Sequence, residues 1–557
     1  MKSNVRRELK FAIPLLILIM IAAVVFWDFP AMYFQQDEWH SFGFIVSEGI
    51  RYITLDHSPL QLLVSDRIGA RAIMYGLFTR FGLVSQWYAA IAFLFHLVNT
   101  YLVYVLASFL FKNKTGARIA ALLFLVNSVS HQAFTWFGTM AGSTPSVTFL
   151  LLSVLAYLKF LQEDNWRAKY LSLFFLWLSF LFKETGLFLF VLYPLWYLLL
   201  KRGKMGKTVR EHLPFIAYGV LIAILRMSEI FAPAGETNVL ITSRSGLGGI
   251  IGNLFLYPVS AISQLFIPSQ VMYTWTERIV AIVFPAIEPG TTAFDLASQV
   301  TVGNALSVLL SIALLLFIGI ILKKEKKGKT GKMAKREIVI GSLLFLVLSF
   351  LPYVFIRKGE AFLEPRYYYA GAAGAAIVAG SIIEGFLASK KRFVALASVF
   401  IVCLFVLTHA SIIRDDLRFQ KQVGEERRSI INTIVRRVPV LPPKVIFYVI
   451  GDTSYYGLGE LTIPFQSGLG QVLLLTYSLK GQIDPIFFRE GSFMQTQDRG
   501  FLYDTIDQGY KEVAGRGFGY FWDKTTLADA VRQYRVDPNN IFSFYYRGQT
   551  HELVASP

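Results

Sequence analysis

Long apolar runs separated by short polar segments fill the chain as far as residue 412. A helix that crosses a lipid bilayer needs about 20 consecutive, mostly apolar residues. Eleven runs approach this length, at 11–27, 85–111, 117–136, 144–161, 169–182, 186–200, 213–231, 301–322, 338–356, 367–387 and 393–412. The pattern predicts an all-α polytopic membrane protein with about 11 transmembrane helices.

One further apolar segment, 248–267, does not fit a simple alternation of spans. If it crossed the membrane alone, the basic loop 323–336 would lie on the side where Lys and Arg are disfavoured. We therefore expect this segment to be re-entrant or interfacial, or to pair with the short apolar run 278–287.

Residues 413–557 follow a different pattern, in which short apolar runs are separated by Gly, Pro, Asp and Asn. VIFYVI at 445–450 and VLLLTY at 472–477 have the length and composition of strands, whereas ADAVRQY has those of a helix. We predict a transmembrane domain at 1–412 and a soluble α/β domain at 413–557.

Charge predicts the orientation of the chain in the membrane. The net charge is +17, but the 17 Lys and Arg of residues 413–557 nearly balance 16 Asp and Glu, so the excess belongs to the membrane domain. There the basic residues gather in short segments between apolar runs. This is typical of the cytoplasmic loops of a protein in the lipid bilayer, and not of nucleic-acid binding. With a cytoplasmic N-terminus, eleven spans place loops 28–84 and 232–300 and the C-terminal domain outside the cytoplasm.

The first outer loop begins with FQQDEWHSFGF, in which Asp37 and Glu38 are adjacent acids. Neighbouring residues on a helix point about 100° apart, so the two carboxylates can serve different purposes. One can act as general base on an acceptor hydroxyl while the other binds a metal ion or a donor group, and His40 can assist either. The alternative is that acids at a membrane interface are simply solvated.

Further charged groups lie in the same outer region. Arg67 and Arg71 are four residues apart, so they share a helix face that could hold a phosphate or snorkel to lipid headgroups. Lys183 and Glu184 separate two apolar runs on the side where basic residues are scarce. This second pair either has a function or closes a helical hairpin as a local ion pair.

A last group of charges stands at the outer entrance of a span, where FLEPRYYYAG places Glu364 and Arg366 on either side of Pro365. Arg366 is positioned to meet a lipid-borne phosphate, and the alternative is interfacial anchoring. The sequence contains no GxxxxGK[ST] loop, no metal-binding Cys/His cluster and no GxSxG elbow. These absences remove the usual sequence evidence for ATP-driven transport, zinc hydrolysis and serine esterase chemistry.

Together these segments resemble the C-type (GT-C) membrane glycosyltransferases. FQQDEWHSFGF is similar to their outer-loop Asp-Glu motif, in the DExH-like form of the protein O-mannosyltransferase (PMT)-like, family 39-like group. FHLVNTYLVYVL resembles their second span, and 122–158 is similar to the third and fourth spans of the tetratricopeptide-linked O-mannosyltransferase-like group. LWLSFLFKETGLFLFVLYPL resembles that group's Lys-Glu turn, and EPRYYYAGAAG its Glu-Arg-Tyr motif, with Pro365 as an insertion. The resemblance covers roughly residues 8–412 and excludes the C-terminal domain.

The resemblance implies transfer of a sugar from a polyprenyl-phosphate carrier to an acceptor on the outer membrane face, usually with inversion. Asp37 would be the general base, and Glu38 would bind the acceptor or a divalent metal, Mg²⁺ or Mn²⁺. Candidates for binding the donor phosphate are Arg366, Lys183, Arg67 and Arg71. Candidates for contacting the acceptor or supporting the site are His40, Glu184 and Glu364. The acceptor could be a protein, a glycan or a lipid.

Two other functions fit the sequence less completely. A transporter or flippase of lipid-linked sugars would also need polar groups at the spans and a basic contact for phosphate. It would favour inverted repeats and broken helices near the bilayer midplane, and neither is clear in the sequence. A non-catalytic membrane anchor that displays the C-terminal domain would leave the clustered outer charges unexplained.

Overall fold

The structure of the protein is a computed structural model. It describes residues 16–35, 37–55, 58–64, 67–111, 113–201, 204–230, 246–284, 293–323, 335–354, 362–451, 465, 468–488 and 508–556. The described chain forms a bundle of helices followed by a small mixed sheet. This confirms the predicted fold class, an all-α membrane protein with a C-terminal α/β domain.

The helices of the first half of the chain are α1 (Leu16–Val25), α2 (Asp37–Glu48), α3 (Pro59–Val64), α4 (Ile68–Phe81), α5 (Ser85–Leu110), α6 (Lys114–Leu125), α7 (Gln132–Thr135), α8 (Phe137–Glu163), α9 (Trp166–Phe180), α10 (Leu189–Lys201) and α11 (Met205–Ile230). Helix α8 packs along α9, and α5 packs against both α6 and α8. The described residues of loop 28–84 include helices α2 to α4, and these carry several of the predicted site residues.

The second half of the bundle contains α12 (Gly246–Gln264), α13 (Ser269–Val283), α14 (Ala293–Lys323), α15 (Lys335–Leu348), α16 (Tyr369–Leu387) and α17 (Arg392–Arg437). Helix α16 is rich in Ala and Gly, and its small side chains let it lie between α6 and α15. Within the described residues, eight helices are long and apolar enough to cross a membrane, or nine if one bent pair counts as a span. The protein is therefore a multi-pass membrane protein.

Three of the eleven expected spans are not among these eight helices. The described part of the first, 11–27, contains α1 (Leu16–Val25), and residues 11–15 lie outside the described residues. The run 117–136 is interrupted after α6, where buried Asn127, Ser128 and Ser130 make hydrogen bonds that turn the chain. The run 169–182 forms α9, which has 15 residues.

The ambiguous apolar segment 248–267 forms a helix that pairs with a second one. Helices α12 and α13 meet at an angle of 107° across a short break at 265–268. A bent pair of this kind is either a broken span or a re-entrant loop, and the predicted partner 278–287 begins within α13.

Helix α17 is 46 residues long and continues without a break through the predicted domain boundary at 412/413. It leads into five strands, β1 (Lys444–Gly451), β2 (Gly509–Val513), β3 (Arg516–Phe521), β4 (Ile541–Arg547) and β5 (Glu552–Ala555). Their order in the sheet is β2-β3-β1-β4-β5, with β1 parallel to both β3 and β4 and with antiparallel outer strands. Two helices accompany the sheet, α18 (Leu469–Ser478) and α19 (Lys524–Tyr534).

One secondary-structure prediction in this domain is wrong. VLLLTY at 472–477 was expected to be a strand, and it lies inside helix α18. Nearly every residue of α18 is buried, so the segment is apolar on all sides and its pattern shows neither a helical nor a strand period. Its run of leucines favours the helix. The strand prediction for 445–450 and the helix prediction for ADAVRQY are confirmed as β1 and α19.

Polar contacts divide the bundle into two ends. At one end, which we call the basic end, Lys201 pairs with Asp164 at 2.8 Å and Lys169 pairs with Glu211 at 3.0 Å. Helices α8, α9 and α10 connect this end to the opposite one, where residues 136–138, 180–185 and 364–368 come together. We call this second region the site end. Helix α18 packs on α2, so the sheet domain also lies there.

Candidate active site

Glu38 joins the start of α2 to the start of α8. Its carboxylate is fully buried and accepts hydrogen bonds from the backbone N–H of Gly138 at 2.8 Å and of Gln35 at 3.2 Å. Gly138 lies in the first turn of α8, where free N–H groups and the helix dipole favour a negative charge. The partners of Glu38 thus explain how a carboxylate can be buried here. They also hold the backbone next to Glu38, which includes its neighbour Asp37.

Asp37 is the first residue of α2, and only its backbone belongs to the described part of the structure. Aromatic rings surround this segment: Phe34 lies 5.6 Å from Trp39 and 5.0 Å from Phe42 between ring centroids. One turn into α2, burial lowers the pKa of His40 to about 4, so this imidazole is neutral near neutral pH. The predicted catalytic segment is therefore anchored by packing on both sides of Asp37.

Arg366 lies in a short 3-10 turn, Pro365–Tyr368, that leads into α16. Its guanidinium group forms an ion pair with Glu364 and lies over the rings of Trp136, at 4.7 Å, and Tyr367, at 5.2 Å from the centroid. Pro365 occupies the first position of the turn, where a fixed φ suits helical geometry and a missing N–H costs little. The inserted proline therefore leaves Glu364 and Arg366 paired side by side.

Lys183, in the turn after α9, also lies near the ring of Tyr367. Its Nζ donates a hydrogen bond to Ser143 Oγ at 2.9 Å and lies 5.5 Å from the centroid of Tyr367. Burial and the nearby guanidinium groups of Arg67 and Arg366 lower the pKa of Lys183 to about 7, against the opposite effect of Glu184 and Glu364. Its ammonium is thus held where a negative ligand would stabilise it.

The two remaining arginines have different surroundings. Arg67 precedes α4 and forms an ion pair with Glu184 at 3.1 Å, although 55% of its side chain is exposed. Arg71 lies one turn later, and its Nε donates to the carbonyl of Ile53 at 2.8 Å. The structure therefore places Arg67 beside the Lys183–Glu184 turn, whereas Arg71 ties α4 to the short helical turn Gly49–Ile53 that follows α2.

Five charged side chains thus converge at the site end, namely Lys183, Arg366, Glu364, Glu184 and Arg67. Glu38 is linked to them through the segment 136–138. Sequence reasoning missed three members of the group, namely Trp136, Ser143 and Tyr367. Trp136 could have been noticed because it ends the run 117–136, which polar residues interrupt. Ser143 carries no sequence signal of its own.

A divalent metal was expected beside Glu38. In the described ranges, no group of three or more His, Cys, Asp or Glu side chains is arranged to hold a metal ion. Both carboxylate oxygens of Glu38 already accept backbone hydrogen bonds. The carboxylate of Asp37, next to Glu38 in the chain, lies outside the described residues, so the metal stays a prediction and no step of the chemistry is assigned to it below.

Comparisons with solved structures include the following two similarities at low identity. The archaeal oligosaccharyltransferase AglB from Archaeoglobus fulgidus, solved with an inhibitory peptide and a dolichol-phosphate, is 11% identical with a TM-score of 0.40. The alignment covers 84% of this chain and 64% of that one. ArnT from Cupriavidus metallidurans, solved with undecaprenyl phosphate, is 14% identical with a TM-score of 0.32, over 78% of this chain and 82% of that one. At these scores neither similarity carries an argument.

Comparisons of the sequence itself are more informative. No curated protein matches the chain. A family model described as dolichyl-phosphate-mannose-protein mannosyltransferase matches residues 71–230, which run from α4 to α11 and include Lys183 and Glu184. The match confirms the predicted resemblance for this part of the chain: residues 71–230 are similar to the protein mannosyltransferase family.

Proposed function

We propose that the protein transfers a sugar from a polyprenyl-phosphate carrier to an acceptor hydroxyl, with inversion, on the non-cytoplasmic face of the membrane. The observation that carries this proposal is the convergence of Lys183 and Arg366 on the ring of Tyr367, at the same end of the bundle as the Asp37–Glu38 segment. Partly buried charges in a membrane protein are costly, so their convergence favours a function over anchoring.

The two cations suit a phosphate leaving group. When the bond between the sugar and the phosphate breaks, negative charge develops on the phosphate oxygens, and positioned cations stabilise that charge. Arg366 offers a planar donor set that can bind two phosphate oxygens at once, and Lys183 offers a point charge next to it. A strong general acid is not needed, because polyprenyl phosphate is already a stable anion.

In the proposed reaction, the Asp37 carboxylate takes the proton of the acceptor hydroxyl as its oxygen attacks the anomeric carbon of the sugar. The carbon–oxygen bond to the phosphate breaks, and its electron pair stays on the polyprenyl phosphate. The products are the glycosylated acceptor, polyprenyl phosphate and a proton released from Asp37. A single displacement of this kind inverts the anomeric carbon.

The face of the membrane follows from charge. The loops between α10 and α11 and between α14 and α15 carry dense Lys and Arg, which favours the cytoplasm for the basic end. The site end, the C-terminal domain and the proposed chemistry then lie on the other face. A polyprenyl carrier, which is anchored in the bilayer, would reach such a site directly from the lipid.

The test is a transfer assay with the purified full-length protein in proteoliposomes. We would supply a panel of radiolabelled polyprenyl-phosphate sugars with peptide, glycan and lipid acceptors, and measure labelled acceptor together with released polyprenyl phosphate. The proposal predicts that the two products appear in equal amounts with at least one donor. Label that crosses the bilayer while still attached to its lipid, with no released polyprenyl phosphate, would contradict transfer and support the flippase alternative.

A further inference from the structure

We propose that the extramembrane part of α17, together with the sheet domain docked on it, is a brace that positions the Asp37-bearing segment for catalysis. This inference rests on the proposed function for its activity readout. It assigns Gly424 and Arg428 a positioning role and gives the C-terminal domain a task besides any contact with acceptor.

Helix α17 contacts the chain just before Asp37 at two levels. Lys421 forms an ion pair with Asp28 at 3.3 Å, at the start of the 28–35 segment. Two turns further along α17, the guanidinium group of Arg428 donates to the carbonyl of Met32 at 3.3 Å and to Ser85 Oγ at 2.9 Å. It also lies 4.6 Å above the ring of Tyr33. These contacts join α17 to the segment and to the start of α5.

Gly424 lies between those two levels, where α17 comes close to the 28–35 segment. A Cβ atom added there would come within 2.9 Å of Tyr33 Cβ and 3.0 Å of the Tyr33 backbone nitrogen. Backbone atoms cannot rotate away from such a contact as the end of a side chain can. A methyl group at position 424 would therefore push either α17 or the 28–35 segment out of place.

The displacement would be transmitted to the catalytic segment by packed rings. Tyr33 and Trp39 lie 5.7 Å apart between centroids, and Trp39 is completely buried on α2. Glu38, beside Trp39, is fixed to α8 by its hydrogen bond to Gly138. A shift of Tyr33 therefore acts on α2 at its first turn, which includes Asp37.

The sheet domain supports α2 from its other side and is itself anchored to α17. Phe488 packs against Gly43 of α2, where an added Cβ would lie 3.0 Å from the ring. At the end of the sheet, Glu426 of α17 is hydrogen-bonded to Tyr546 of β4 and lies 3.2 Å from His551. Helix α2 is thus held between the membrane bundle and a domain that is bound to α17.

The experiment compares Gly424→Ala with Gly319→Ala in the full-length protein. Both changes add one methyl group inside a helix, but nothing lies within 4 Å of a Cβ at position 319. We would measure kcat, donor KM and hydrogen exchange of residues 28–48. We expect Gly424→Ala to lower kcat by about 10- to 100-fold, because small misplacements of reacting groups cost this much. Donor KM should stay within about twofold, and exchange in 28–48 should become faster.

A second pair of variants separates positioning from folding. Arg428→Met keeps a long side chain over Tyr33 but removes the donors to Met32 and Ser85, and Arg428→Lys restores one charged donor. We expect kcat to fall in the first variant and to recover partly in the second. The inference is overturned if kcat of Gly424→Ala matches that of Gly319→Ala, or if exchange rises over the whole bundle. If wild-type protein transfers no sugar, the proposed function fails, and the exchange data still decide whether the brace exists.

Discussion

The two ends of the helical bundle hold charge in different ways. At the basic end, Asp164, which binds Lys201, has 75% of its side chain exposed, and the more buried Lys169, with 13% exposed, pairs directly with Glu211. At the site end, Glu38 is fully buried and Arg366 has only 17% of its side chain exposed. Exposed pairs need little support from the fold, whereas buried charges need partners arranged around them.

The difference teaches which charges set topology and which carry chemistry. The basic end needs only a sufficient number of cations on one side of the membrane, and their individual positions matter little. The site end depends on single groups at fixed distances, such as Lys183 and Arg366 around Tyr367. Substitutions at the two ends should therefore have very different effects on transfer.

After Asp37, the proposed base, the largest effect on the rate of transfer is expected for substitution of Arg366. Arg366→Ala removes the planar donor set proposed to stabilise the leaving phosphate, and removal of one such group typically costs about 100-fold or more in kcat. Arg366→Lys keeps the charge without the two-point geometry and should recover only part of the rate. Steady-state kinetics with the best donor from the panel would measure both. Equal rates for wild type and Arg366→Ala would remove Arg366 from the mechanism.

A smaller, pH-dependent effect is expected at Lys183. Its pKa is lowered to about 7, so in the free enzyme the ammonium is present below pH 7 and is lost as the pH rises above it. We expect kcat/KM for the donor to fall by about tenfold between pH 6 and 8.5, the value of one charge-assisted hydrogen bond.

The matched control for this prediction is Lys183→Arg, whose side chain stays charged over the whole range and should give a flat profile above pH 7. His40, with its pKa lowered to about 4, is neutral throughout and does not contribute. A wild-type profile that stays flat up to pH 8.5 would contradict the role of Lys183.

The smallest effect is expected at the basic end. Asp164→Asn breaks the exposed pair with Lys201, and such pairs contribute less than about 1 kcal/mol to stability. Transfer should stay within about twofold of wild type, and the Tm in detergent should hardly change. A large loss of transfer in this variant would show that the division of the bundle into two ends is too simple.

Much of the fold could be predicted from the sequence because a membrane span has a strong compositional signal. The exceptions have physical reasons. Asn127 and Ser128 end α6 early because their side chains hydrogen-bond within the bundle, which a hydropathy average hides. Helix α17 continues past residue 412 because its polar part packs on the 28–35 segment and the sheet, and neither contact is visible in the local sequence.

The candidate site was only partly predictable. Motifs such as DEWH and EPRYYY identified the charged residues, because charges at the edges of apolar runs are conspicuous. Their mutual arrangement depends on helix packing, since Lys183 and Arg366 come from distant parts of the chain. The burial of Glu38 at the N-terminus of α8 also needed the structure, because its partner Gly138 is 100 residues away in the chain.

The most direct test of the central claim is the rate of sugar transfer by Asp37→Asn, with Asp164→Asn as the matched control. The substitution of Asp37 by Asn removes a base with almost no change in volume. Loss of general-base catalysis lowers the rate about 100- to 10,000-fold. We predict a loss of this size in Asp37→Asn, with unchanged membrane insertion, donor KM and Tm, and nearly normal transfer in Asp164→Asn. Normal transfer by a correctly inserted Asp37→Asn protein would contradict the account.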